Sequence, residues 1–226
     1  MREELPPSKP ISIVIVDDFQ ILTDALRIIF SSQLDIHVLA VAPSCSVARE
    51  LLSQTCPDVL LLDVVLPDGD GLDLASEIKR KCPTTHTLVM TTHVDEKTAL
   101  RAIGAGISGF VLKTQPLPEM ISLIRQAAKG DIVMPANLFV DALNWMQHTH
   151  ARKTTQHRIE PITRREEEIL VCLAKGMSGS HIADTLHIAP LTVRTHIRNL
   201  MDKLGVHSRL EAVSHALSHG LIHLPL

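Results

Sequence analysis

No uninterrupted apolar run in these 226 residues approaches the ~20 needed for a bilayer-spanning helix. Met1 to Pro10 holds no apolar core of the kind a secretion signal carries, and it reads as a loose tail. Cysteine is scarce. Cys45, Cys56, Cys82 and Cys172 form no C-x-x-C pair, so neither a zinc site nor a disulfide framework is signalled. Each cysteine is read as a small buried apolar residue. An excess of positive charge is missing too: the net charge of −3 excludes a wholly basic nucleic-acid binder but leaves local patches open. Of the 13 histidines, those after residue 145 include no pair in a metal-ligand setting, and they are read as solvated or capping. What is present is 45% apolar and 21% charged residues, the balance of a soluble globular chain. The length suggests two domains, each able to bury a core. A cytoplasmic location is expected.

One stretch organises the first half. Val59 to Leu62 is wholly apolar, as in a parallel strand buried on both faces, and it ends abruptly in Asp63. Turn residues follow at once (Pro67, Gly69, Gly71). In an open α/β sheet the carboxyl ends of the strands are where ligands bind, so Asp63 sits in a chemical position. A turn-capping aspartate is the plainer alternative.

Around that stretch the pattern alternates. Ile11 to Val16 is an apolar strand running into Asp17-Asp18, two adjacent acids that repel unless a cation or solvent intervenes. Residues 20–31 carry an apolar stripe at helical spacing, 36–42 read as strand, and 46–54 as helix. A helix over 72–81, a strand over 87–91, a helix over 96–103, a strand over 109–113 and a helix over 118–129 complete the run. This βα alternation predicts a doubly wound parallel sheet.

Four strand ends then carry Asp17-Asp18, Asp63, Thr91 and Lys113. With the D-x-x-x-P-x-x-D-G pattern of Asp63, Pro67, Asp70 and Gly71 and the Ala105-Gly106 step, residues 10–130 resemble the CheY-like receiver domain of two-component response regulators. The resemblance implies a flavodoxin-like sheet in which Asp63 is the phosphoacceptor. It also implies that Asp18 and Asp63 ligate Mg²⁺ directly, that Asp17 acts through water, and that the Val65 carbonyl completes the protein ligands. Lys113 would supply positive charge to the phosphoryl oxygens. Thr91 and Phe110 would act as switch residues, Thr91 donating to a phosphoryl oxygen and Phe110 swinging inward with it; plain core is the other reading of Phe110. Two positions depart from the pattern. Thr114 follows Lys113 where many receivers have proline, so a cis peptide is not assured. Val65 and His93 flank the site, and Val65 is expected to limit hydrolytic water and lengthen the phosphorylated lifetime.

Past the receiver, residues 137–147 carry Leu138, Ala142, Trp145 and Met146 on one helical face and read as a linker helix. Residues 148–160 are polar and suit a tether. Thr163-Arg164-Arg165-Glu166 is a capping box opening a helix that Gly176 closes. Ser178 begins a second short helix, and Pro190 opens a third with Arg194, Arg198 and Lys203 outward. A final helix runs from Arg209 to about His219. Two short helices, a tight turn and a cationic third helix spell helix-turn-helix.

Thr163, Arg165-Glu166, Gly176, Ser178, Ile182-Ala183, Thr192-Val193, His196, Lys203-Leu204 and Ser208-Arg209 resemble the LuxR-type DNA-binding domain of the NarL/FixJ response regulators. The resemblance implies that Arg194, Thr195 and Arg198 face base edges, while Thr192, Asn199, Lys203 and Arg209 position the DNA backbone. His196 is expected to pack inside. Gly179-Ser180-His181 lacks the family's basic residue and reciprocal Glu, and Ala189 replaces a usual serine cap, which costs on the order of 1 kcal/mol.

The whole chain thus reads as a receiver (10–130), a linker with a short helix (131–160) and an all-α helix-turn-helix domain (161–226). The expected function is a phosphorylation-controlled transcription regulator, not an enzyme. Its expected partners are a sensor histidine kinase, double-stranded promoter DNA, a second copy of the chain on phosphorylation, and RNA polymerase; a membrane is not among them. Two other classes stand beside it: an interaction module whose DNA-binding half has decayed, and a phosphate sink that drains a kinase.

Overall fold

The computed structural model describes residues 9–134, 138, 141–142 and 161–222. The N-terminal tail, most of the expected linker helix with Trp145, and the tether 148–160 lie outside them.

Five strands make one parallel sheet: β1 (Ile11–Val16), β2 (Ile36–Ala42), β3 (Val59–Asp63), β6 (His86–Thr91) and β7 (Gly109–Leu112), in the order β2-β1-β3-β6-β7. Between them run α1 (Gln20–Ser31), α2 (Cys45–Gln54), α3 (Gly71–Lys81), α4 (Glu96–Gly104) and α5 (Leu117–Ala128). A side chain on a strand alternates between faces, and β1, β3 and β6 carry buried apolar residues on both, so each of them feeds two cores. Ile13, Ile15, Leu61, Leu88 and Met90 meet Leu26 and Phe30 of α1 and Met120, Ile124 and Ala127 of α5. Val14, Val16, Leu60, Leu62, Val89 and Phe110 meet α2, α3 and α4 on the opposite face.

A two-residue hairpin, β4 (Val65–Leu66) with β5 (Gly69–Asp70), follows β3 directly. It is short enough to have read as plain turn in the sequence. Gly71 then donates its N–H to the Val64 carbonyl at 2.8 Å. A Cβ at Gly71 would stand 2.0 Å from the Asp63 carbonyl oxygen, so only glycine lets α3 start against the end of β3.

The second domain is helical: α6 (Arg164–Ala174), α7 (Gly179–Leu186), α8 (Pro190–Leu204) and α9 (Arg209–Ser218). The Thr163–Glu166 capping box forms in both directions. Ser178 and Ser208 cap α7 and α9, whereas Ala189 gives α8 no side-chain cap. His187 and Gly205 end α7 and α8 in the left-handed region, the turn geometry that lets the helices fold back on one another. Ile169, Leu173, Ile182, Val193, Ile197, Leu200 and Val213 close its core. That core is continuous with the α2–α3–α4 side of the receiver.

Two cysteine expectations are corrected. Cys56 is exposed and Cys82 buried, and a disulfide joins them across 26 residues. The sequence spacing carried no signal because the pairing is made by the fold, which sets the entry to β3 beside the end of α3. Cys45 and Cys172 are buried free thiols, as expected.

Candidate phosphoacceptor site and DNA-binding surface

Asp17, Asp18, Asp63, Thr91 and Lys113 come together at the carboxyl edge of the sheet, because each ends or follows one of the adjacent strands β1, β3, β6 and β7. One carboxylate oxygen from each of Asp17, Asp18 and Asp63 lies within 4.8 Å of the others. An all-oxygen, anionic donor set of this kind suits a hard divalent cation. Lys113 Nζ stands 2.7 Å from Asp63 Oδ2 and 2.7 Å from Asp17 Oδ2. Both contacts are ion pairs, and the Asp17 oxygen is fully enclosed. Burial works against the ammonium, and the two carboxylates outweigh it, holding Lys113 above the usual lysine range.

The two switch residues are engaged elsewhere in this state. The Thr91 hydroxyl donates to the His93 carbonyl at 2.7 Å, turned into its own loop. Phe110 is already fully buried in the core, so it has no outward position to swing from. Val65 is exposed beside Asp63, its N–H 3.5 Å from Asp63 Oδ1. Among the described residues every peptide is trans, Lys113–Thr114 included. Around the site, Asp70 caps α3 and is held by Arg101 at 2.9 Å. Asp68 accepts from the Cys45 and Ser46 N–H groups at the start of α2. Those backbone donors at Ser46 hold Asp68 down to about 2.

On α8, Thr192, Arg194, Thr195, Arg198 and Asn199 are all exposed and lie along the surface opposite Val193, Ile197 and Leu200. His196 is only half-buried, between those faces, rather than inside. Lys203 is corrected more sharply. Its ammonium pairs with the buried Glu166 at 2.8 Å, and Glu166 also accepts from Thr163. Turning Lys203 to a DNA backbone would leave a buried carboxylate unpaired.

Arg209 is committed as well, to a residue that the sequence reading passed over. Its Nη1 lies 2.9 Å from Asp131 Oδ1, with both side chains nearly enclosed. The same oxygen accepts the Gly179 N–H, the first of α7, at 3.0 Å. A carboxylate at the junction of receiver and linker therefore occupies the positive end of a helix-turn-helix helix. Nothing in the local sequence marks Asp131, because the contact spans 48 and 78 residues. Between the domains a cavity of about 200 Å³ is lined by Lys79, Pro83 and His86 of the receiver and by Arg194 and Arg198 of α8.

The residues of the sheet edge and of the arginine-bearing helix coincide with two family matches. Residues 13–125 match the response regulator receiver domain, and residues 160–216 match the bacterial regulatory proteins of the luxR family. The chain is 32% identical over 212 residues to the response regulator protein VraR of Staphylococcus aureus, covering 94% of this chain and 99% of VraR. The chain belongs to the NarL/FixJ-type response regulators. As such it is a phosphorylation-controlled, DNA-binding transcription regulator and not an enzyme. Among solved structures, it is similar to the receiver domain of the response regulator NarL from Mycobacterium tuberculosis, with 26% identity and a TM-score of 0.51 over 54% of this chain and 98% of that one. It shares its fold with RcsB of Salmonella enterica serovar Typhimurium bound to promoter P1flhDC in the presence of phosphomimetic BeF3- (21% identity, TM-score 0.56, 93% of this chain and 100% of that one).

Proposed function

We propose that Asp63 of this response regulator accepts a phosphoryl group from the phosphohistidine of a sensor histidine kinase, and that the modified chain binds promoter DNA as a dimer in the cytoplasm. The Lys113 ammonium held between Asp63 and Asp17 is the observation that carries this reading. A structural aspartate needs no such convergence of acids around one lysine. An Asp63 oxygen attacks phosphorus, the N–P bond breaks, and the kinase imidazole leaves with the electron pair. Lys113 stays beside the new phosphoryl oxygens and balances their charge.

Asp17, Asp18, Asp63 and the Val65 carbonyl would hold Mg²⁺, which when bound offsets carboxylate repulsion and draws charge from the phosphoryl oxygens. The three carboxylates, each offering an oxygen within 4.8 Å of the others, fit such an ion. Thr91 would then leave the His93 carbonyl and donate to a phosphoryl oxygen, carrying the 91–95 loop with it. Phe110 backs this movement from the core rather than swinging.

The divisions 10–130, 131–160 and 161–226 serve as receiver, linker and DNA-binding domain. Arg194, Thr195 and Arg198 read base edges, and Thr192 and Asn199 hold the backbone. Arg209 joins them only when Asp131 lets go. Phosphorylation favours that parting of the domains, and dimerisation supplies affinity that seven Lys/Arg against six Asp/Glu in 161–226 do not. Incubating the chain with labelled acetyl phosphate and Mg²⁺ tests the reading: wild type takes up acid-labile label and Asp63→Asn takes up none. Equal labelling of the two would overturn it.

A further inference from the structure

Cys56 and Cys82 form a site that phosphoryl chemistry does not use. Their Cα atoms lie 5.6 Å apart, within the span a disulfide needs. Cys56 precedes β3 and faces solvent, while Cys82 ends α3. The pair forms part of the wall of an open hollow of about 410 Å³ whose lining includes Ser53, Thr55 and Lys81. A small oxidant or a dithiol reductant can therefore reach the exposed Cys56 sulfur, with Cys82 backing it from inside. The other two cysteines are buried, and burial pushes both thiols up. Selectivity for the pair follows.

The pair is also wired to the domain contact. Pro83, the residue after Cys82, lines the cavity that Arg194 and Arg198 face. Lys79 donates to the Pro83 and Thr85 carbonyls, and the Thr85 hydroxyl donates to the Pro57 carbonyl at 2.7 Å. A cross-link from residue 56 to residue 82 therefore ties the lead-in to β3 to the end of α3, next to the cavity wall that Lys79 and Pro83 form. Disulfides in reducing compartments are usually transient or redox-sensing.

We propose that Cys56 and Cys82 are a reversible redox site, oxidised by a hydroperoxide and reduced by a dithiol, and that the disulfide steadies the closed arrangement of the domains. The proposal rests on the reading above that this regulator works on DNA in the cytoplasm. Cys56 thiolate attacks the peroxide oxygen, the O–O bond breaks, and a sulfenic acid forms as water or an alcohol leaves. Cys82 thiolate then displaces water from that sulfur. Two thiols are oxidised, one hydroperoxide is reduced, and the cysteine protons leave in the products.

The test uses the reduced full chain, hydrogen peroxide, dithiothreitol and random-sequence duplex DNA at low salt. Peroxide should lower the thiol count from four to two and dithiothreitol should restore it, whereas Cys56→Ser and Cys56→Ala should form no intramolecular disulfide. The oxidised wild type should bind duplex roughly threefold or more weakly than the reduced form, and both variants should show no such difference. Thiols that persist, or that pass to sulfinic acid without a disulfide, overturn the site and leave the regulator reading standing. A complete thiol cycle with unchanged duplex affinity overturns the coupling. A complete cycle with no duplex binding in either form overturns the coupling and the regulator reading together.

Discussion

Lys113 and Glu166 show how single residues are committed by burial. Lys113 balances two acids at the sheet edge, so Lys113→Ala leaves Asp17 and Asp63 facing each other without a cation. Phosphoryl uptake from acetyl phosphate should slow by about 10²-fold, the loss typical of removing one preorganised charge partner. In the second domain, burial works to raise Glu166, and Lys203 with the Thr163 donors outweighs it, so its carboxyl stays below the usual 4.5. A depressed folded-state value means stability fully present above about 4.5 and lost as pH falls through the folded value. Urea midpoints followed by helical circular dichroism should fall over that acid window in wild type. Glu166→Gln should start lower and show a flatter slope there.

At the scale of elements, helix ends and strand ends decide the architecture. The recognition helix α8 begins without a side-chain cap at Ala189. Ala189→Ser should raise the stability of the helical domain by about 1 kcal/mol, read from chemical denaturation. Gly71→Ala should cost roughly 1–3 kcal/mol or more, since its Cβ must displace the Asp63 backbone. Elements such as these were largely legible before any coordinates. Apolar runs ending in Asp17, Asp63 and Thr91 place strands and site together, and the Thr163–Glu166 spacing places a helix start. The β4–β5 hairpin was not legible, because two residues per strand leave no periodicity to read. Lys203 misled for a related reason: helical spacing assigns it to a face but does not say that a buried acid waits at that face. The Cys56–Cys82 pair and Asp131 were invisible because long-range pairings belong to the fold and not to any window of sequence.

Among the described residues, the polar contacts that hold the molecule shut centre on Asp131 and are nearly enclosed. Asp131 bonds both Arg209 and the first N–H of α7, so it stands where a DNA phosphate would gain from the same two donors. Asp131→Ala strands the Arg209 guanidinium inside the closed form, where breaking such a pair costs about 3–5 kcal/mol, and solvating it requires the domains to part. The unphosphorylated variant should therefore bind random-sequence duplex more tightly than wild type, with a steeper fall of affinity as salt rises, because Arg209 becomes available to phosphate. Equal affinities and equal salt slopes would remove Asp131 from this role. Acid should loosen the same contact by another route. His86 borders the cavity between the domains and is held at about 4 by burial first, then by the charges of Lys79 and Arg209. Its imidazole is neutral in the closed form. Because that value lies below the ordinary 6.5, an open form with solvated His86 takes up a proton first, and closure weakens as pH falls from about 6.5 toward 4. A fluorophore pair placed on the two domains should report separation through this window in wild type. His86→Asn, which has no proton to take up, should hold its separation constant until the carboxylates titrate.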